Sequence, residues 1–288
     1  MATTSKFLAA ILCLSACSLG QQTSFADAGF VVYTFVNYEN SSQRGLAVAG
    51  DIIAISGTEG RVAWSLDGGQ SFPERIQLKP ELDYRDIEVL GESAIVVMSA
   101  GPGEQSTVSR LELQGSKTLI RPPIINQHPE GFWDGIDFWE ASERGILVGD
   151  PVDGKLTVML TDDGAQSFRP AANPPQVGNR QYCFAASGTS VVTISKDVAL
   201  IATGGTESQV WKSVDGGDNW RAIDIPFVHG SNGSGVFSIA FKDEQNGVIV
   251  GGDYENPELN YEVAAYTDDG GNTWKSASRM TAGYRSAV

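Results

Sequence analysis

Short, densely apolar stretches recur along the chain, and residues typical of turns separate them. Five of these stretches are rich in Val, Ile, Leu and Ala: DIIAIS at 51–56, AIVVMS at 94–99, GILVG at 145–149, VALIATG at 198–204 and GVIVGG at 247–252. Apolar runs of this length, bounded by Gly or Asp, are typical of β-strands that are buried on both faces. No long stretch has the 3.6-residue periodicity of an amphipathic helix. The pattern therefore predicts an all-β protein.

A polar cassette recurs after the third apolar run of most repeats. Its pattern is Ser/Thr-x-Asp-x-Gly-x-x-aromatic, with Ala165 in one Gly position, and its four copies contain Asp67, Asp163, Asp215 and Asp269. Successive copies are 52 or 54 residues apart, except that the first two are 96 apart. A degenerate copy is therefore expected near residue 115, where VSRLELQGSKTL at 108–119 keeps the strand pattern without the Asp. A period of about 50 residues is in the range of propeller blades.

Each cassette is interpreted as a hairpin turn between two strands. An Asp in a tight turn accepts hydrogen bonds from nearby backbone N–H groups, and Gly adopts backbone angles that other residues avoid. The alternative is that these Asp residues bind a metal or act as acids. The structural role is favoured, because a residue that recurs in every turn needs no ligand to explain it.

Composition narrows the functional classes. The 288 residues are 41% hydrophobic and carry a formal charge of −15, which fits a folded protein and disfavours nucleic acid as the main partner. The two His residues, His128 and His229, have no metal ligand at useful spacing, so neither a metal nor a cofactor is expected. Cys183 is the only thiol left for the folded part of the chain once the N-terminal signal segment described below is removed. A single thiol can form neither an internal disulfide nor a zinc site, so Cys183 is predicted to be a small buried apolar residue.

The N-terminus has the pattern of an export signal. Lys6 precedes an apolar run at 7–14 that is too short to span a bilayer. The sequence LSAC at 14–17 resembles the lipobox of bacterial lipoproteins, which implies a signal peptide at 1–16, lipidation of Cys17 and an anchored protein on the periplasmic face of the outer membrane. The alternative is ordinary export to the periplasm or medium, with cleavage after Ala26. Residues 17–29 are then a polar linker, and membrane contact is expected only through the anchor.

The remaining residues, 30–288, are predicted to form one β-propeller of four-stranded blades. Five complete repeats begin near Arg44, Arg85, Asp134, Phe184 and Phe237. The stretch FVVYTFVNY at 30–38 is expected to be a closing strand, and AGYRSAV at 282–288 resembles the start of a sixth repeat. The hypothesis is a propeller that is incomplete at its C-terminus.

The repeats also carry a family likeness. The cassettes resemble Asp-box (BNR) repeats, and the ordered segments YRDIEVL, FWDGIDFWEASERGILVGDPVDG, FSIAFKD, GVIVGGDY and GYRSAV resemble bacterial proteins related to the photosystem II stability and assembly factor, the Ycf48-like propellers. The resemblance covers about residue 40 to the end. It implies a seven-bladed β-propeller and a role in binding or assembly.

In a propeller, the first strand of each blade lines the centre of the ring. The repeat starts therefore place a set of charged and aromatic residues at one mouth of the channel: Arg44, Tyr84, Arg85, Trp133, Asp134, Tyr284 and Arg285. Arg side chains grip carboxylates through paired hydrogen bonds, so the sequence predicts a protein partner or a small anionic ligand there. The alternative is that these Arg residues pair with Asp86, Asp134 or Asp137 inside the channel.

A non-catalytic role is favoured over an enzymatic one, and no catalytic residue is predicted. The enzymatic alternative is a sialidase-like glycoside hydrolase, which would need a Tyr nucleophile with a partner Glu; Tyr84 and Glu88 are the available pair. Similar proteins also carry an oxidoreductase label. The Gly turns of this chain do not lead into a helix, as a phosphate-binding loop would.

Overall fold

The computed structural model describes residues 41–115 and 117–288. The predicted signal peptide, Cys17, the linker and the strand at 30–38 lie outside the described residues.

Five antiparallel sheets follow one another along the described chain, and each is built around a four-stranded meander. The first contains β1 (Gln43–Ala49), β2 (Ile52–Gly57), β3 (Arg61–Ser65) and β4 (Glu74–Gln77). The second contains β5 (Tyr84–Leu90), β6 (Ala94–Ser99), β7 (Thr107–Gln114) and β8 (Lys117–Ile120); the 3₁₀ helix Gly103–Gln105 precedes β7, and β9 (Ile124–Ile125) also pairs with β7. The third contains β10 (Trp133–Phe138), β11 (Gly145–Val152), β12 (Lys155–Thr161) and β13 (Arg169–Pro170).

The last two sheets interleave slightly along the chain. The fourth contains β15 (Val191–Ser195), β16 (Val198–Ala202), β18 (Gln209–Ser213) and β19 (Arg221–Asp224). The fifth contains β20 (Ser234–Phe241), β21 (Gly247–Asp253), β22 (Ala264–Thr267) and β23 (Lys275–Ser276). Two short strands, β14 (Gln181–Tyr182) and β17 (Gly204–Gly205), extend the inner edge of the fifth sheet in the order β14-β17-β20.

Consecutive sheets pack face to face, so the cores lie between them. Ala54, Val62 and Trp64 of the first sheet meet Ile87 and Val97 of the second. The same arrangement joins the second sheet to the third, the third to the fourth and the fourth to the fifth. The first strands of neighbouring sheets, β1, β5, β10, β15 and β20, contact each other in that order. The predicted all-β propeller is confirmed, and the second strand of each sheet lies where its apolar run was predicted.

The repeated Asp lies in the turn between the third and fourth strands of four sheets. In the first of these turns, the Ser71 amide and hydroxyl donate to the Asp67 carboxylate at 2.9 and 2.6 Å. The Ser65 hydroxyl donates to Asp67 at 2.7 Å and accepts from the Gly69 amide at 2.8 Å. The turns of Asp163, Asp215 and Asp269 repeat this network. Each Asp therefore holds the backbone of its own turn.

The turns also dock one sheet onto the next. Arg110 of β7 donates to the carbonyl of Gly164, which lies in the turn of the third sheet, at 2.5 Å. Lys212 of β18 donates to the carbonyl of Gly270, in the turn of the fifth sheet, at 2.7 Å. The second sheet has no Asp in its own turn, and its β7–β8 hairpin passes through Gly115 with positive φ. The expected degenerate copy thus keeps the hairpin.

Candidate functional site

Four of the five innermost strands have a β-bulge at the same position. The pairing register shifts at Arg44 in β1, Arg85 in β5, Asp134 in β10 and Phe237 in β20. These are four of the five repeat starts that the sequence aligns. A bulge turns one side chain away from its regular direction, and bulges are common beside binding sites. The bulges therefore aim one residue from each of four sheets at the same end of the ring.

The fourth sheet departs from this pattern. Its innermost strand begins at Val191, and Phe184 lies earlier, in a segment at 183–190 that follows β14. This segment crosses the end of the ring, because the Arg85 guanidinium donates to the carbonyl of Ala185 at 3.2 Å. The expectation that Phe184 starts an inner strand is wrong, although its side chain still reaches the mouth.

Arg44 and Arg85 meet at one carboxylate. Arg85 Nε lies 2.8 Å from Asp83 Oδ2, and Arg44 Nη2 lies 3.9 Å from the same oxygen. Neither Arg forms its closest ion pair with Asp86, Asp134 or Asp137. Asp83 is the acid that sequence reasoning missed here; it lies two residues before the bulge and nothing in the repeat pattern marks it.

Tyr84 and Trp133 have a different environment from their neighbours in sequence. The Tyr84 side chain is buried in the core between the first and second sheets, and Trp133 is buried in the core between the second and third. Each precedes a bulge, so it faces the interior while the bulged residue faces the mouth. The structure therefore brings Arg44, Arg85 and Asp134 together at the mouth and packs Tyr84 and Trp133 behind them.

Asp134 lines an open cleft of about 350 Å³ at this end of the ring. Its side chain is only 1% exposed, and its Oδ2 has no hydrogen-bond partner. The other lining residues include Arg85, Asp150, Tyr182, Phe184 and Tyr254. The cleft thus combines a buried carboxylate with aromatic rings.

Burial raises the pKa of both acids in the cleft. The pKa of Asp134 lies well above its ordinary value because of burial and the nearby Asp150 carboxylate, although Arg85 and two backbone amides oppose the shift. Burial raises the pKa of Asp150 to about 7. Cys183 is buried and lines the same cleft, and burial and the two carboxylates raise the pKa of its thiol. Either a proton or a cation would therefore relieve the cost of burying these two carboxylates.

Aromatic side chains form one wall of the mouth. The rings of Phe184 and Phe237 stack with their centroids 3.9 Å apart. Tyr284 and Tyr254 meet Phe237 edge-on, at 4.8 and 6.2 Å between centroids. Tyr254 is about half exposed, at 51%. This wall offers an apolar surface next to the charged one.

The C-terminal segment contributes Tyr284 to this wall without forming a strand. The amide of Arg285 donates to the carbonyl of Gly251 at 2.8 Å, and the Ser187 hydroxyl donates to the carbonyl of Ser286 at 2.8 Å. Arg285 itself is exposed, and its guanidinium donates to the carbonyl of Tyr284. The structure thus places Tyr284 at the mouth and leaves Arg285 on the surface beside it.

A second group of acids ties the inner strands together deeper in the ring. The Asp86 carboxylate accepts from the amides of Ile87 at 2.9 Å and Ile136 at 2.7 Å, so it bridges the second and third sheets. Asp137 accepts from the amides of Phe138 and Thr193 and bridges the third and fourth sheets. Burial raises the pKa of Asp137 to about 6 and that of Asp86 well above its ordinary value. Both acids act as connectors.

Glu88 lies with these acids and away from Tyr84. Burial, Asp137 and Asp86 together raise the pKa of Glu88. Tyr84 instead lies in the core on the other face of β5, where burial raises the pKa of its hydroxyl. Because the two side chains occupy opposite faces of the strand, they do not form the Tyr–Glu pair of a sialidase nucleophile.

Two residues of the cleft, Asp150 and Tyr254, escaped the sequence-based site prediction. Asp150 lies within β11, in the segment GDPVDG, and Tyr254 directly follows β21, in the segment GGDYENPELN. An alignment of these two segments with each other, in addition to the alignment of the repeat starts, would have identified both residues.

Other site types find no support in the part of the chain that the structure describes. Within residues 41–115 and 117–288 there is no group of three His, Cys, Asp or Glu side chains able to hold a metal. Over the same residues, no helix is long and apolar enough to cross a membrane. Cys183 is a free, buried thiol, as predicted.

Comparison with known proteins supports the fold. No protein-family model matches the chain, and no curated protein matches it. Among solved structures, "YCF48 bound to D1 peptide" superposes with a TM-score of 0.55 at 16% identity, covering 85% of this chain and 69% of that one. "Crystal Structure of Mitotic Checkpoint Complex" gives 0.60 at 12% identity, covering 91% and 74%. "Crystal structure of RRP9 WD40 repeats" gives 0.52 at 17%, covering 78% and 64%. At these identities the likeness establishes the β-propeller fold alone.

Proposed function

We propose that this chain is a non-catalytic binding propeller that recognises a protein segment at the mouth of its ring. One observation carries the proposal: β-bulges at one shared position aim Arg44, Arg85, Asp134 and Phe237 at the same end of the ring. A regular strand would not direct these side chains there, so the shared bulge favours recognition over simple packing.

The composition of the mouth fits a polypeptide ligand. A peptide presents apolar side chains, backbone hydrogen-bonding groups and charges together. The mouth offers the Phe184–Phe237 stack, the open cleft, and charged groups of both signs. A structure of similar fold, described as YCF48 bound to D1 peptide, supports the choice of a protein ligand by analogy.

Site-specific photo-crosslinking in the source cells tests this proposal. A benzoylphenylalanine replaces Tyr254 at the mouth, and in a matched control it replaces Tyr266 on the third strand of the fifth sheet, which is 40% exposed. We expect adducts with a partner polypeptide from position 254 and not from position 266. Adducts from position 266 alone, or equal adducts from both, would overturn the proposal.

A finer proposal concerns the arginines. Arg44, Arg85 and Arg285 would grip a carboxylate of the bound segment, or a small anionic ligand, in competition with Asp83. Arg44 has the looser pair with Asp83, at 3.9 Å, so it is the more available of the two. Replacing all three with Ala should abolish capture of the crosslinked partner. Unchanged capture would assign these arginines to structural pairing.

Localisation forms a separate part of the proposal. The lipobox-like sequence at 14–17 supports an envelope protein anchored through Cys17. Radioactive palmitate should label the full-length protein, and Cys17→Ala should remove the label. Persistent labelling of Cys17→Ala, or no labelling of the parent, would favour export with cleavage after Ala26.

A further inference from the structure

We infer that the cleft at Asp134 and Asp150 binds a cationic group, such as the side chain of an Arg or Lys in the bound segment. The inference rests on the proposed function and adds the chemical class of the group that enters the cleft. It differs from carboxylate recognition by Arg44, Arg85 and Arg285, because it assigns to the cleft a ligand group of the opposite charge.

The first observation is an unpartnered carboxylate oxygen. Asp134 is 1% exposed, lines the cleft, and leaves Oδ2 without a hydrogen-bond donor. Asp150 lines the same cleft, and its Oδ1 also has no partner. A buried acceptor without a donor costs free energy, and most such groups in folded proteins find a partner. Two unpartnered oxygens in one cleft indicate that a donor is supplied from outside.

The charges of the residues that line the cleft indicate that this donor is a cation. Among the described residues that line the cleft, Arg85 is the only basic one, and its guanidinium is already bound to Asp83 at 2.8 Å and to the carbonyl of Ala185 at 3.2 Å. Asp134 and Asp150 therefore share little compensating charge, and the Asp150 carboxylate lies close enough to disfavour ionisation of Asp134. A cation between them would supply both hydrogen bonds and charge, whereas an anion would add to the repulsion.

The walls suit a flat or methylene-rich cation. Phe132, Tyr182, Phe184 and Tyr254 line the cleft around the two acids. Aromatic rings attract guanidinium and ammonium groups, and they cover the apolar stem of Arg or Lys. At about 350 Å³, the open cleft is large enough for one such side chain.

The test compares three probes of the same shape and different charge. Benzamidine is cationic at neutral pH, benzamide is neutral and benzoate is anionic. Their binding to the full chain is measured by ligand-observed NMR titration at pH 7. We expect benzamidine to bind roughly tenfold or more tightly than benzamide, and benzoate to bind more weakly than either, as loss of a charge-assisted hydrogen bond predicts.

Matched variants assign the preference to the cleft. Asp134→Asn with Asp150→Asn should remove most of the benzamidine preference. Glu255→Gln with Glu258→Gln, which also replaces two carboxyl groups but at exposed positions, should leave it unchanged. The single variant Asp150→Asn, on a partly exposed residue, repeats the test if the double variant does not fold.

Three outcomes would overturn the inference: equal binding of the three probes, tighter binding of benzoate, or a benzamidine preference that both double variants retain. The crosslinking experiment separates these from failure of the proposed function. Adducts from position 254 without a benzamidine preference would reject the cationic group and keep the protein-binding mouth. If neither adducts from position 254 nor a benzamidine preference is observed, the mouth is rejected as a binding site.

Discussion

The Asp residues of the outer turns and those at the centre of the ring have the same side chain in opposite surroundings. Hydrogen bonds from Ser65 and Ser71 lower the pKa of Asp67 to about 2. The pKa values of the other three turn acids are also lowered, because their hydrogen bonds outweigh the effect of partial burial. At the centre, burial raises the pKa of Asp137 to about 6 and of Asp150 to about 7. The recurring Asp residues are thus satisfied within their own turns, whereas the single ones depend on groups from elsewhere.

This difference separates structural from functional candidates. Every turn Asp has donors within four residues along the chain. Asp86 and Asp137 find donors on the next sheet, and Asp134 and Asp150 keep one oxygen each without a donor. These eight acids fall into three groups: four that shape a turn, two that join sheets, and two that are left open to a ligand.

The largest effect is expected at a sheet-joining acid. Asp86→Ala removes the acceptor of two buried amides, those of Ile87 and Ile136, and should lower the free energy of unfolding by about 2–5 kcal/mol. Urea denaturation of the full chain measures this, with the exposed Glu92→Ala as control. A loss below about 1 kcal/mol would mean that Asp86 does not join the sheets.

A smaller effect is expected in the turns when their glycines change. Gly217 has φ +93°, and an added Cβ would lie 2.7 Å from Leu160 of the neighbouring sheet, so Gly217→Ala should cost about 1–3 kcal/mol. Gly50 also has positive φ, at +59°, but an added Cβ there meets no atom within 4 Å. Gly50→Ala should therefore lose only about 1 kcal/mol, from backbone strain. Equal losses in urea denaturation would show that the turn does not pack on the next sheet.

A turn Asp should matter less than a sheet-joining one. Asp215→Ala removes an acceptor for the amide and side chain of Asn219, but the site is exposed and water replaces part of the loss. We expect a decrease of about 1 kcal/mol in the free energy of unfolding. Asp215→Asn, which keeps one acceptor oxygen, should lose less. A loss as large as that of Asp86→Ala would erase the distinction between the two groups.

Much of the fold follows from local sequence signals. Apolar runs such as AIVVMS, and turn cassettes that need only residues close in sequence, specify strands and hairpins without information from the rest of the chain. The alignment of repeat starts also located the bulged Arg44, Arg85 and Asp134.

The details of the mouth depend on long-range packing. Phe184 reaches Phe237 because the segment at 183–190 crosses the ring, and Asp150 reaches Asp134 from a different strand of its sheet. Asp83 forms ion pairs with Arg44 and Arg85, which were expected to pair with other acids or to bind a ligand. The spacing of residues within one repeat does not specify any of these contacts, so the sequence alone could not predict them.

The smallest expected effect is the change of the melting temperature with pH. Turn acids with lowered pKa values stabilise the fold above about pH 4, and this contribution is lost as the pH falls through about 2. Central acids with raised pKa values contribute most below about pH 4, and their contribution is lost as the pH rises through 6 to 7. The melting temperature should therefore decline between pH 5 and 7, and Asp150→Asn should flatten this decline more than Glu255→Gln does. A rise in melting temperature over that range would contradict the assignment.

The most direct test compares the two regions with the same chemical change. Asp134→Asn with Asp150→Asn alters the centre, and Asp163→Asn with Asp215→Asn alters two turns, so both double variants lose two carboxylates. Benzamidine affinity of each full chain is measured by NMR titration. We expect the central pair to lose roughly tenfold or more while the turn pair keeps the parent affinity. Equal loss in both variants, or loss in the turn pair alone, would contradict the division between structural turns and an open central site.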